Sequence, residues 1–292
     1  MSFVSMTDML AKAKVGKYAI GQFNLITCEF AQAIAETAEE ERSPVIFGAG
    51  EMAIRYMGLD NLVATARIAA ERVRVPVALH LDHGSSFEVV MRCIRAGFSS
   101  VMFDGSKYPL EENIRLTRQV VEAAHAVGVS VEAELGAIGG TEDDHTVADE
   151  DANLADPDEA ILFWERTRVD ALAMNVGSAH GMYKREPNIR IGNIRKVAAA
   201  IDAPIVLHGG SGIPDDQIVQ AIEAGIGKIN VNTENVIAYT QVVRDYLANH
   251  PQASDPPSGV VRTSTCSSTT RPGRMPVRGV QPNAVHFVSA QS

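Results

Sequence analysis

The chain has 292 residues, 46% hydrophobic and 21% charged, with a formal net charge of −10. That length suits one barrel-sized domain with a large core, and the acidic balance speaks against bulk binding to nucleic acid or to an anionic membrane. No apolar run of about 18 residues marks a membrane span. The first segment, MSFVSMTDMLAKAKVGK, lacks the apolar centre of a secretory signal, and Cys28, Cys93 and Cys266 lie far apart with no CxxC pair. These features point to a reducing, cytoplasmic setting rather than a disulfide framework.

Short apolar runs alternate with amphipathic stretches from residue 17 to about 248. The expected strands are Tyr18–Phe23, Pro44–Gly48, Pro76–His80, Ser99–Phe103, Val129–Leu135, Ala171–Val176, Pro204–His208 and Lys228–Val231. The expected helices are Glu29–Arg42, Leu59–Arg74, Ser86–Arg95, Leu110–Val127, Asp158–Arg168, Asn193–Ala200, Asp215–Ala224 and Glu234–Asn249. Ser86, Asp158 and Asp215 suit helix starts, and Gly97, Gly128 and Gly225 suit C-terminal caps. Eight strands, each followed by a helix, predict a single (β/α)8 TIM barrel over residues 1–250. An open doubly wound sheet is the rival, but no G-x-G-x-x-G turn follows the first strand. Residues 251–292 break the pattern, with six prolines, 11 Ser or Thr, four Arg and no Glu or Lys. They read as an irregular, disordered or aberrant C-terminal tail.

In such a barrel the C-terminal ends of the strands form the active face, and the polar residues gather there. Strand 1 runs into Asn24, strand 3 into LHLDHG (His80, Asp82, His83), strand 4 into Asp104 and strand 5 into Glu134. Strand 6 leads to GSAHG with His180, strand 7 to His208, and strand 8 to INVNTE with Asn230, Asn232 and Thr233. His83, His180 and His208 come from three different strands, and each is followed by a glycine. Three imidazoles with an open fourth position form a catalytic zinc arrangement. Asp104 and Glu134 add carboxylates nearby. His80 fits a packed barrel residue as well as a ligand, and His125, His145, His250 and His286 fall on helical, loop or tail segments. The HGGSG run at 208–212, after strand 7 and before a helix near Pro214, suits an anion held by backbone N–H groups and a helix dipole. Ser211, Thr233 and Lys184 add donors.

The segments LHLDHGSSFE, SVMFDGSKYPLEEN, VSVEAELGAIGGTEDD, GSAHGMYKREPN, LHGGSGIPDD and KINVNTEN resemble, in order over roughly residues 3–250, the signature segments of class II fructose-bisphosphate aldolases and their tagatose-bisphosphate relatives. The resemblance implies a (β/α)8 fold, a homodimer or homotetramer, a catalytic Zn2+ and a monovalent cation (Na+ or K+) near a phosphate. It implies reversible cleavage of a ketose bisphosphate, a small phosphorylated sugar, to dihydroxyacetone phosphate and an aldehyde phosphate. Carried over motif by motif, His83, His180 and His208 are the zinc ligands, and Asp104 and Glu134 line a second or alternative metal position. Asp82 shuttles the proton on the C4 hydroxyl and Glu142 the proton at the dihydroxyacetone carbon. Asn24, Gly181, Lys184, Gly209, Ser211, Asn230, Asn232 and Thr233 hold the dihydroxyacetone phosphate end. INVNTE resembles the fructose-type branch more closely than the tagatose type.

Three departures stand out. Gly50 occupies the place of a serine that helps polarise the substrate carbonyl. Ile26 and Thr27 replace an asparagine pair after Asn24, and the family's C-terminal helices are not recognisable beyond residue 250. Two rival readings remain at this stage. A metal-binding paralogue with impaired catalysis is favoured by Gly50 and the tail. A barrel metallohydrolase using zinc-bound water has no need of HGGSG or Lys184.

Overall fold

The computed structural model describes residues 3–142, 145–147, 153–183, 186–252 and 254. Eight parallel strands close into a barrel: β1 (Ile20–Asn24), β2 (Val45–Ala49), β3 (Val77–Gly84), β4 (Ser100–Phe103), β5 (Ser130–Leu135), β8 (Ala171–Met174), β10 (Ile205–Leu207) and β11 (Ile226–Val231). Each is hydrogen-bonded to its neighbour in chain order, and β11 returns to β1 through Ile20↔Lys228 and Phe23↔Val231. The helices wrapped outside are α2 (Cys28–Glu40), α4 (Leu59–Ala70), α5 (Phe87–Ala96), α6 (Leu110–His125), α7 (Pro157–Thr167), α8 (Ile191–Ala200), α9 (Asp215–Ala224) and α10 (Thr233–Asn249). The expected barrel, its strands and its helices are therefore all present, with ends displaced by a few residues.

Local chemistry fixes several of these helix ends. Ser86 caps α5 by accepting from Val89 N, and Asp156 caps α7 by accepting from Asp158 N and Glu159 N. Pro157 follows as the first helical residue, where its missing N–H costs nothing. Asp158, expected as the start of α7, lies one residue inside it. Gly97 closes α5 in a left-handed conformation.

Three kinds of element went unread in the sequence. Helix α1 (Met6–Gly16) precedes the barrel, and α3 (Glu51–Met57) follows β2. A small sheet comprises β6 (Gly139–Glu142), antiparallel β7 (His145–Val147) and β9 (Ala179–His180), in the order β7-β6-β9. All but residues 251, 252 and 254 of the expected tail lie outside the described residues.

The apolar groups form two cores. The larger packs the outer faces of the strands against the surrounding helices. The smaller fills the barrel itself: Ile20, Ile46, Ala78, Met102, Ala171, Ala173 and Val206 point inward and meet Met6, Met9, Leu10 and Ala13 of α1. Helix α1 is thus a stopper for the lower, apolar layer of the interior. Its sequence, MTDMLAKAKVG, spaces Met6, Met9, Leu10 and Ala13 along one helical face. The consequence is measurable. Leu10 is fully buried in this plug, so Leu10→Ala is expected to destabilise the fold by about 2–5 kcal/mol, read as a lower urea midpoint. A midpoint within error of the parent protein would show that the plug contributes nothing to stability.

Candidate active site

Above the apolar layer, alternate positions of the same strands turn polar. Gln22 and Asn24 on β1, His80 and Asp82 on β3, Glu132 and Glu134 on β5, and Lys228 and Asn230 on β11 are all buried. The two-residue period of a strand places each pair on its inner face. His208 follows β10 and is fully buried as well.

His83, His180 and His208 converge. Their ring centroids are 5.1, 4.7 and 5.8 Å apart for the pairs 83–180, 83–208 and 180–208. One ligand atom from each lies within 4.8 Å of the others, and the same holds for His83, Asp104 and Glu134. The expected ligand trio and the expected second carboxylate group are therefore both assembled, sharing His83.

The imidazoles are oriented by carboxylates. His83 Nδ1 bonds Asp104 Oδ2 at 2.8 Å, and His208 Nε2 bonds Glu132 Oε1 at 2.9 Å. A carboxylate accepts, so these ring nitrogens carry the protons, and the lone pairs reside on His83 Nε2 and His208 Nδ1. Those two atoms face each other at 3.0 Å. Two acceptors at this distance repel unless a cation lies between them or one ring takes an extra proton. Tetrahedral zinc with nitrogens at about 2.05 Å requires neighbouring nitrogens about 3.3 Å apart. The donor set, its tautomers and its spacing fit a zinc ion.

The surrounding acids divide by environment. Burial would raise the Asp104 carboxyl, but the hydrogen bond from His83, with those from the Ser106 hydroxyl and amide, holds it well below the usual range. Glu132 is likewise opposed by burial, yet the Lys228 ammonium and the bond from His208 keep it ionised. Glu134 is pushed well above its ordinary value by burial and then by Asp104. Burial and the Lys228 charge keep His80 neutral, with Nδ1 on Ser100 Oγ at 2.8 Å. His80 is therefore a packed interior residue and stays out of the ligand trio.

Asp82, the expected proton shuttle, is 1% exposed. Gln22 Nε2 donates to its Oδ2 at 2.8 Å and Asn230 Nδ2 to its Oδ1 at 3.3 Å. His83, next in the chain, has φ +48, and the register of β3 against β4 shifts between Leu81 and Gly84. This left-handed step is rare for a residue with a side chain, and such strain concentrates at functional sites.

The loops complete the rim. The β6 strand that carries Glu142 pairs with β9 through Gly139↔Ala179 and Gly140↔His180. Gly140 has φ +102, and any Cβ there would strike the His180 carbonyl. The Glu142 side chain lies outside the described residues, as does Lys184. Tyr183 joins two rim segments: its hydroxyl accepts from Ala179 N at 3.0 Å and donates to Gly209 O at 2.8 Å. Burial pushes that hydroxyl up to about 12.

In the HGGSG loop, Gly210 N donates to Asn230 O and Gly212 N to Glu234 Oε1. Helix α9 opens with Asp215 and Asp216, which already answer its dipole. Ser211 Oγ accepts instead from Glu234 N, at the start of α10. The loop thereby also meets the first turn of α10, which presents Thr233 and follows Asn232. Gly181 (φ +90) has open space where a side chain would stand, and Asn24 is buried at the end of β1.

Glu132, Lys228, Gln22 and Tyr183 were missed by sequence reasoning. For the first three the signal was present, as charged or amide residues at alternate positions of otherwise apolar strands. Tyr183 carries no such signal.

Comparison with known proteins agrees with this geometry. A family model described as fructose-bisphosphate aldolase class-II matches residues 4–271. Fructose-bisphosphate aldolase of Geobacillus stearothermophilus is 53% identical over 259 residues, covering 88% of this chain and 90% of that protein. A probable fructose-bisphosphate aldolase of Bacillus subtilis is 52% identical over the same coverage. Among solved structures, the YdjI aldolase of Escherichia coli K12 superposes with a TM-score of 0.80 at 34% identity, covering 91% of this chain and 94% of that one. Similarity of sequence over most of the chain, the closed barrel and the three converging imidazoles lead to one conclusion: the chain belongs to the class-II fructose-bisphosphate aldolase family.

Proposed function

We propose that the chain cleaves fructose 1,6-bisphosphate reversibly to dihydroxyacetone phosphate and glyceraldehyde 3-phosphate, with zinc held by His83, His180 and His208. The observation that carries this reading is the pair of lone-pair nitrogens, His83 Nε2 and His208 Nδ1, facing each other at 3.0 Å with carboxylates behind both rings. When bound, zinc supplies Lewis-acid stabilisation for the negative charge that develops as the C3–C4 bond breaks.

The chain's own groups supply the rest. Asp82, held by two amide donors, takes the C4 hydroxyl proton on cleavage and returns it on condensation. Glu142 exchanges the proton at the dihydroxyacetone carbon from a hairpin whose neighbouring residues pair with the His180 strand. Asn24, Gly181, Lys184, Gly209, Ser211, Asn230, Asn232 and Thr233 hold the dihydroxyacetone phosphate end. Asp104 and Glu134 line a second or alternative metal position beside His83. A monovalent cation beside the phosphate, assembly as a homodimer or homotetramer, and a cytoplasmic setting belong to the same reading. Among the described residues no helix is long and apolar enough to cross a membrane.

The direct test is purified protein with zinc and fructose 1,6-bisphosphate, with released triose phosphate coupled to a dehydrogenase. We expect turnover that a chelator removes and zinc restores, and at least a thousandfold loss of kcat in His208→Ala. Zinc binding without turnover on either the fructose or the tagatose substrate would refute the assignment in favour of an impaired paralogue. Release of inorganic phosphate would indicate a hydrolase.

Tyr183→Phe removes the hydroxyl that joins Ala179 N to Gly209 O. Leaving buried partners unmade costs about 1–3 kcal/mol, so we expect the KM for fructose 1,6-bisphosphate to rise by about fivefold or more while zinc affinity stays unchanged. An unchanged KM would remove the clasp from the binding account.

Gly50 starts α3 with φ −77 and ψ 167, a conformation open to serine. Gly50→Ser is expected to raise kcat, by up to about a hundredfold if the added hydroxyl meets the developing charge. An unchanged kcat would show that this chain works without that donor.

A further inference from the structure

We propose that the buried Lys228–Glu132 ion pair is a positioning unit that sets the metal ligand His208 and the amide of Asn230 together, coupling the zinc side of the site to the proton-transfer side. It rests on the zinc-aldolase reading above and extends it to two residues that lie beneath the rim.

Lys228 and Glu132 are both fully buried, on β11 and β5, with Lys228 Nζ 2.8 Å from Glu132 Oε2. Lys228 Nζ also donates to Asn230 Oδ1 at 2.9 Å. Both contacts choose an orientation. Because Lys228 holds Oε2, the other oxygen of Glu132 faces His208 Nε2 at 2.9 Å. That bond keeps the His208 proton on Nε2 and leaves Nδ1 for the ion. Because Lys228 offers only donors, the Asn230 amide must turn its oxygen toward Lys228. Its nitrogen then points to Asp82 Oδ1 at 3.3 Å, beside His208 Nε2 at 3.4 Å. One ammonium group therefore fixes the plane of the Glu132 carboxylate, whose two oxygens are equivalent, and the flip of the Asn230 amide, whose ends are not. Those groups support, respectively, a metal ligand and the proton shuttle.

Stability alone is a poor explanation for this arrangement. Desolvating two charges costs as much as their attraction returns, and an apolar pair of similar volume is often as stable. Neither side chain reaches the rim, so neither touches substrate; their effect travels through His208 and Asn230. His80 Nε2, 3.7 Å from Glu132 Oε2, closes the cluster from the β3 side without joining the trio.

The test compares Lys228→Met with the double variant Lys228→Met/Glu132→Gln, which removes both charges and so avoids stranding a buried carboxylate. Zinc affinity is measured on metal-free protein by competition with a chromophoric chelator. The ligand field is read from the visible spectrum of the Co2+ form, and kcat, KM and the melting temperature of the metal-free protein are recorded alongside. We expect zinc affinity to fall by about 10–100-fold in the double variant. The Co2+ bands should change, and kcat should fall by more than KM rises, with the melting temperature within a few degrees of the parent. Should Lys228→Met alone fail to fold, the double variant decides. Parent-like zinc affinity and Co2+ spectrum in the double variant would overturn the proposal, whatever happens to stability. If the parent protein binds zinc but cleaves no ketose bisphosphate, the aldolase reading fails, and the affinity and spectrum still judge the positioning role.

Discussion

The site depends on a carboxylate behind an imidazole, made twice. Asp104 and Glu132 each accept a ring N–H, and each thereby decides which nitrogen of its histidine keeps a lone pair. Without these bonds, His83 and His208 would have free choice of tautomer and free rotation about χ2. With them, two lone pairs are driven toward a common point, an arrangement that a cation or an added proton relieves. The candidate metal site is therefore specified by its supporting acids as much as by its three imidazoles, which is the usual division of labour at metal centres.

This device is expensive to build inside a barrel. Ionised Glu132 and Asp104, the ammonium of Lys228 and the neutral ring of His80 all occupy the interior, where unpaired charge is severely penalised. The barrel manages this by layering. The lower interior is apolar and stoppered by α1. The polar groups start one pleat higher and are cross-linked strand to strand: β1 to β3 through Gln22 and Asp82, β5 to β11 through Glu132 and Lys228, and β3 to β4 through His80 and Ser100. Only the β3–β4 link joins neighbours; β1 and β3 are separated by β2, and β5 and β11 by two strands, so the closed sheet is what brings these partners within reach. An open sheet would strand several of them.

Most of the barrel was legible because its strands and helices differ in hydrophobic period, and because the helix ends carry ordinary punctuation such as Ser86 and Gly97. The convergence of His83, His180 and His208 was legible because all three come at C-terminal strand ends, and topology does the rest. Helix α1 was unread because MTDMLAKAKVG has no strand before it to mark a βα unit; its apolar face makes sense only once the barrel offers an interior to plug. The β6–β7 hairpin is equally a product of its surroundings, since β6 is ordered by pairing with the short strand that carries His180. Glu132 and Lys228 looked like ordinary charged residues among apolar neighbours. Their alternate positions on apolar strands marked them as inward-facing, but the contact that pairs them joins residues 96 positions apart and has no local sign.

The left-handed backbone of His83 has a consequence for how this chain tolerates change. Glycine or asparagine would settle into that conformation with less strain, so a substitution there can make the polypeptide more robust while deleting an imidazole of the candidate metal site. A library sorted for heat resistance alone would drift toward such replacements and enrich for well-folded, inert barrels. Position 83 thus marks a point where the interests of folding and of chemistry diverge, and durability and turnover have to be screened together.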